Sequence, residues 1–268
     1  MNNPELRPTI YLGNNRAITK TIYGHKIIVN TRDISIAPHI LIDGYWEKWI
    51  TDVFLSLIKP GMNVLDIGAN VGFYSLLAAE KIGSQGSLIC FEANPEMSDI
   101  VFQNLQINGF GSRSKVVDKA VYSENSSLTF NIFEKFLSSS SLWTDLGDID
   151  SRRDSIKELT VEGVTLDHFF SAGTRIDFIK IDAEGAEPFI LKGAKRVLED
   201  NPNVIILMEF APLFITKAYG SVEILYGELK SMGFRIFRIE HDSTLFEMSL
   251  TDAISTHHCD VVMQRNPG

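Results

Sequence analysis

The chain has 268 residues, 44% of them hydrophobic, enough to bury one substantial α/β core with an appendage. Its 25 basic residues are outnumbered by 34 acidic ones, giving a net charge of −9 and an isoelectric point near 5.2, so a nucleic-acid backbone or an anionic lipid surface would be repelled. No apolar run approaches the ~20 residues a membrane span requires. The polar opening MNNPELRPT predicts no signal peptide. Cys90 and Cys259 lie far apart and suggest no disulfide framework, which predicts a cytoplasmic protein of a reducing compartment.

In chain order, residues 1–14 are polar and read as a flexible lead. Residues 19–30 (TKTIYGHKIIVN) predict a hairpin around Gly24 and His25, followed by a third short strand at 34–36. Residues 1–42 are therefore expected to form a lead and a small β cap, and 43–268 the main domain. His25 and His39 are isolated and suit surface or core roles. In residues 46–58, Trp46, Trp49, Ile50, Val53, Phe54 and Leu57 recur at helical spacing, and Pro60-Gly61 ends that helix.

Residues 63–75 (NVLDIGANVGFYS) organise the rest of the chain. Val64, Leu65 and Ile67 predict a buried strand, Gly68 and Gly72 a turn, and residues 73–82 a helix. A strand entering a helix through a glycine turn offers unpaired N–H groups to a ligand. The dinucleotide fingerprint would need glycine where Asn70 and Phe73 stand, so this turn is a poor pyrophosphate cradle. The pattern that stands is D-x-G-x-N-x-G with Asp66 at the strand end. An anion there suits a ligand with a cationic amino-acid end and no phosphates, such as S-adenosylmethionine. The turn 68–72, with Ala69 and Asn70 inside it, is the predicted cofactor cradle. The competing account is a tight strand–helix turn of any α/β domain. Residues 87–91 (SLICF) predict the next strand, and Glu92 at its tip is placed to accept both ribose hydroxyls; otherwise it is a solvated strand-end carboxylate.

VLDIGANVGFYS, FEANP, IDFIKIDAEGAE at 176–187 and the apolar strand VIILMEF ending near Glu209 together resemble the FkbM family of methyltransferases, over residues 43–210. The resemblance implies an α/β, Rossmann-like class I methyltransferase: a mostly parallel seven-stranded sheet, helices on both faces, and an antiparallel last strand. It implies an S-adenosylmethionine-dependent enzyme that methylates hydroxyl oxygens of natural products or glycans. It also implies that the 44–47 segment folds over the methionine end of the cofactor, which brings in Glu47, and that a polar residue at the third strand tip, Asp118, meets the adenine edge. A favourable charge in a first helical turn and an exposed turn aspartate are the alternatives.

Asn94 and Pro95 cap and open a helix that Gly109 closes. Residues 128–133 predict an extra antiparallel strand. The polar stretch after it, with Ser141 and Trp143, is either a substrate-selecting loop or a plain linker, and 145–158 reads as a solvated charged run. Thr165 caps a short helix, in which His168 beside two phenylalanines reads as packing. Residues 176–182 predict the fourth strand, with Asp182, Glu184 and Glu187 leaving its carboxyl end. Lys180 points to the same face as Asp182 and is the expected partner of one of these three carboxylates. Glu187, before Pro188, suits a first helical turn. Asp182, with Glu209 on the adjacent strand, is the expected group that orients or deprotonates an acceptor hydroxyl, and Glu184 is placed near the substrate. A divalent cation held by Asp182, Glu184 and Glu209 is the lesser alternative, since oxygen clusters suit hard cations but no spacing here compels one. No Cys/His cluster predicts zinc. Residues 221–232 predict a capped helix, and 234–239 and 260–264 the last two strands. The rival functions are a cofactor- or partner-binding domain without turnover and, less favoured, an NAD-dependent oxidoreductase. The sequence shows no repeat, gives no oligomeric state and does not identify the small-molecule or glycan acceptor.

Overall fold

The computed structural model describes residues 7–143 and 154–265. The chain begins with three antiparallel strands, β1 (Ile10–Gly13), β2 (Arg16–Lys20) and β3 (Lys26–Asn30). Thus part of the expected lead is a strand, while the expected hairpin corresponds to β2 and β3. Residues 34–36 are not a strand but lead into helix α1 (Ile36–Ile42). The Asp33 carboxylate accepts the N–H groups of Ile36 and Ala37 at 2.9 and 2.8 Å, and so caps a turn that β propensity alone had assigned as extended.

Helix α2 (Lys48–Leu57) starts two residues later than its apolar spacing suggested, because Glu47 is left-handed. There follow β4 (Asn63–Ile67), α3 (Phe73–Ile82), β5 (Ser87–Phe91), α4 (Pro95–Ile107), β6 (Ser114–Val117), β7 (Ala120–Val121), β8 (Ser127–Phe133), β9 (Ile156–Val164) and α5 (Leu166–Phe169). The chain continues through β10 (Phe178–Ile181), α6 (Glu187–Lys192), α7 (Lys195–Asp200), β11 (Ile205–Phe210), α8 (Pro212–Tyr219), α9 (Val222–Ser231), β12 (Phe234–Ile239), β13 (Leu245–Glu247), α10 (Leu250–Ser255) and β14 (Cys259–Arg265). The charged run expected at 145–158 divides: its end enters β9, which pairs with β8 over 156–162, and 144–153 lie outside the described residues.

Among the described residues the main sheet has eight strands, in the order β13-β12-β14-β11-β10-β4-β5-β6. The seven expected strands are joined by β13, a short exposed edge strand. β11, β10, β4, β5 and β6 run parallel, and β14 inserts antiparallel between β11 and β12. This is the Rossmann-like methyltransferase arrangement. The chain winds from β4 outward through β5 and β6, then returns to β10 on the other side of β4. A crevice opens at such a reversal, at the carboxyl ends of the strands. One face of the sheet packs α2, α3, α4, α1 and β3 into a single apolar cluster around Phe54, Phe73 and Ile100; α6 to α10 pack on the other face around Ile190, Phe210 and Phe234. The N-terminal sheet is tied to α4 by Asn104, whose side chain donates to the Ile28 carbonyl and accepts from the Ile28 N–H at 2.9 and 2.7 Å. β7, β9 and β8 form a second small sheet beside the crevice. No helix among the described residues is long and apolar enough to cross a membrane.

Candidate active site

A cleft of about 290 Å³ lies at the carboxyl ends of β4, β5, β10 and β11, and Glu47, Asp66, Gly68, Ala69, Asn70, Glu92, Asp182, Glu184 and Glu209 all line it. Its first half is built by local chain geometry. Gly68 and Ala69 donate their N–H groups to the Phe91 carbonyl at 2.9 and 3.1 Å, which fastens the turn after β4 to the end of β5. Asn70 follows in the left-handed region, φ 52°, and its N–H donates to Glu92 at 2.7 Å; the other Glu92 oxygen accepts the Asn94 N–H at 2.8 Å. Glu92 is thus oriented by backbone and keeps lone pairs on both oxygens. Burial, offset in part by those two N–H groups, pushes its pKa up to about 7. Asp66 is 2% exposed; one oxygen accepts from Ser75 at 2.5 Å, and the other is buried without a partner. Burial raises its pKa, while Lys180 and the Ser75 hydroxyl lower it.

The two glycines serve the protein more than a ligand. A Cβ on Gly68 would stand 1.7 Å from the Asp182 carbonyl oxygen, so this glycine admits the loop after β10 against the loop after β4. A Cβ on Gly72 would meet Val101 of α4 at 3.3 Å, and Gly72 does not line the cleft. Asp118 also lies outside the lining, exposed beyond the end of β6. Val117 is buried, and a tight turn closed by Lys119 N–H to the Val117 carbonyl at 3.0 Å sends Asp118 outward and Lys119 and Ala120 inward.

The second half gathers charge from distant segments. Lys180, 3% exposed, was expected to meet one of the three carboxylates of the 182–187 segment; it pairs with Asp182 at 2.9 Å and lies 4.6 Å from the centre of the Tyr74 ring. Glu209, one residue before the end of β11, pairs with His258 at 2.9 Å; Asp260, its cross-strand neighbour on β14, lines the same wall. Glu187 is buried, and its carboxylate accepts the Ala183 and Gly185 N–H groups, shaping the 182–187 loop. Glu47 accepts a long 3.4 Å bond from the Tyr74 hydroxyl, and burial followed by the nearby Asp182 pushes its pKa up to about 7. Glu184 and Asp260 are raised well above the carboxylate range, first by burial and then by neighbouring carboxylates.

Glu47 and Glu184 have φ values of 41° and 50°, and among the described residues they are the only non-glycine left-handed residues other than asparagine or serine. Glutamate holds that conformation at a cost, and both instances face this cleft.

The 138–143 segment contributes differently from the expectation. Ser141 is buried in a backbone bridge with Asn131 and bonds the backbone of Trp143; Trp143 rests against Gly185 and Phe189. Neither lines the cleft; Ser138, Ser139, Ser140 and Leu142 do. His258, Asp260 and Tyr74 were not legible as site residues in the sequence. The sole trace of the first two is their two-residue spacing at the start of a strand, whose meaning depends on cross-strand register. Among the described residues, no group of three or more His, Cys, Asp or Glu side chains is arranged to hold a metal ion.

The model of the methyltransferase FkbM domain matches residues 66–236, well over half the chain. The chain belongs to that family. The match begins later than the resemblance read from the sequence and extends further, through β11 into β12. The chain is 27% identical over 154 residues to methyltransferase sdnD of Sordaria araneosa, covering 48% of this chain and 59% of that protein. It is 34% identical over 59 residues to a protein-L-isoaspartate O-methyltransferase of Methanopyrus kandleri, covering 22% of this chain and 26% of that one. The chain therefore spans less than two thirds of either relative. Among solved structures, methyltransferase FkbM from Methylobacillus flagellatus aligns over 81% of this chain and 50% of its own, with 13% identity and a TM-score of 0.47. P. horikoshii TYW2, solved in complex with MeSAdo, aligns over 94% of this chain and 71% of its own, with 14% identity and a TM-score of 0.49.

Proposed function

We propose that this protein transfers a methyl group from S-adenosylmethionine to a hydroxyl oxygen of a neutral, polyhydroxylated acceptor, a sugar, glycan or natural product. The observation carrying this reading is that one cleft at the sheet's reversal joins the Asp66–Glu92 end to the Asp182–Glu209 end. The residues present suit the cofactor. The free lone pairs of Glu92 match vicinal ribose hydroxyls, and the unpartnered Asp66 oxygen, with Glu47 lining the same cleft, matches a cationic amino-acid end. When bound, that cofactor supplies an already activated methyl group, so alignment and water exclusion are the protein's chief tasks.

Asp182, fixed by Lys180, and Glu209, fixed by His258, would then orient the acceptor hydroxyl and take up its proton. A wall carrying Asp182, Glu184, Glu209 and Asp260 disfavours carboxylate- or phosphate-bearing acceptors, because its cations, Lys180 and His258, are already paired with Asp182 and Glu209 and an added anion would be desolvated without a partner. Thermal melting with S-adenosylhomocysteine or NAD⁺ in excess tests the cofactor. Stabilisation by S-adenosylhomocysteine alone, lost in Glu92→Gln, is expected; stabilisation by NAD⁺ alone would sink the reading, and silence from both would favour a domain that binds a partner without turnover. Transfer of labelled methyl to neutral sugars rather than to their uronic acids, abolished in Asp182→Asn with S-adenosylhomocysteine binding retained, tests the chemistry.

A further inference from the structure

Glu209 stands among more carboxylates than cations. Asp260 faces it across from β14; Asp182 follows Ile181, the β10 partner of Met208, and so lies one step along on the other side. Glu47 from the start of α2, and Glu184 and Glu187 from the 182–187 loop, complete the acidic surroundings. The buried cation, Lys180, is committed to Asp182. A carboxylate in such company takes up a proton unless it has a counterion of its own.

That counterion is His258. Its Nε2 lies 2.9 Å from Glu209 Oε1, and the pairing, together with Asp260 and Asp182, pushes the imidazole pKa up to about 9 against the effect of burial. The other carboxylate oxygen, Oε2, is buried and unpartnered, on a side chain 10% exposed that lines the cleft. The His258 side chain is 61% exposed, at the rim. It also lies beyond the segment that matches the family model.

We propose that His258 is a positioning residue for methyl transfer: it holds Glu209 by Oε1, so that Oε2 faces the acceptor hydroxyl, and its charge opposes the protonation that burial and Asp182 favour at that carboxylate. This rests on the methyltransferase reading above. In the step it serves, the acceptor oxygen bonds the methyl carbon, the carbon–sulfur electron pair returns to sulfur, and the hydroxyl proton ends on Glu209 Oε2. Asp182 and Glu209 are thus equipped differently: the first has a permanent buried cation, the second a titratable one open to solvent.

The test is NMR titration of the full chain loaded with S-adenosylhomocysteine, with labelled glutamate carboxyls and histidine rings, Glu209→Gln providing the assignment. In His258→Gln, which keeps a donor but no charge, the Glu209 titration moves up by about one pH unit or more while S-adenosylhomocysteine affinity is unchanged. In Glu209→Gln, the His258 ring titration falls from about 9 toward its ordinary 6.5. His258→Lys, which retains a cation at the rim, keeps Glu209 near its wild-type titration. Identical Glu209 titration in wild type and His258→Gln would overturn the proposal, as would loss of S-adenosylhomocysteine affinity in His258→Gln, which marks a merely structural role. Failure of wild-type protein to bind S-adenosylhomocysteine would overturn the underlying reading instead, and it is seen before any variant is made.

Discussion

In the half of the cleft around β4 and β5, the buried acid Glu92 is held by backbone: it takes one N–H from the turn before it and one from the helix start after it. In the half around β10, β11 and β14, acids are held by side-chain cations, the half-buried Asp182 by Lys180 and the buried Glu209 by His258. Backbone N–H groups are fixed once the local turn forms and do not titrate. Side-chain cations arrive from elsewhere in the chain, and one of them is a histidine, whose charge responds to pH. A half held by backbone suits a constant ligand; a half held by side chains is where specificity and pH response can vary without disturbing the turn.

The largest effect is expected where the halves touch. Gly68→Ala places a Cβ on the Asp182 carbonyl in a left-handed residue, and should cost roughly 3 kcal/mol or more in urea unfolding while weakening S-adenosylhomocysteine binding. If it is tolerated, the two loops are independent and the contrast between the halves fails. Lys180→Met removes the buried cation of the acceptor half alone. About 3 kcal/mol of destabilisation is expected, at the low end for a broken buried pair because the Asp182 side chain is 38% exposed. Glu92→Gln acts on the other half: one backbone N–H meets an amide NH₂ instead of an oxygen, at about 2 kcal/mol, and the thermal shift with S-adenosylhomocysteine is lost. The His258 ring titration should be unmoved by that change; a shift there would mean the halves are coupled.

The smallest effect is a pH slope. Burial raises Glu92 and Glu47 to about 7 and Glu187 to about 8, so the folded state retains protons that the unfolded chain releases near 4.5. Their stabilising contribution is complete below 4.5 and is lost as pH rises through 7 to 8; His258, raised to about 9, acts in the same direction from 6.5 upward. Melting temperature of the unliganded protein should therefore fall from pH 5 to pH 9. Glu47→Gln should flatten that fall between pH 5 and 7, by about 1 kcal/mol at the upper end. A melting temperature that rises across this range would contradict the buried-acid picture of both halves.

The sequence alone determined the part made of near neighbours. Val64, Leu65 and Ile67 give a strand because branched apolar side chains suit a sheet buried on both faces; Gly68 and Gly72 give the turn because they take positive φ; and Asp66, Asn70 and Glu92 follow within one βαβ unit. That Lys180 would meet a carboxylate of the 182–187 segment was legible because two residues along a strand share a face, though the choice of Asp182 was not. Tertiary structure decided the rest. It set Gly68 against Asp182, turned Asp118 and Trp143 out of the cleft, and brought His258 and Asp260 beside Glu209. Those meetings depend on which strands adjoin and in what register, above all on β14 inserting antiparallel beside β11, and no local propensity encodes a contact between residues 209 and 258.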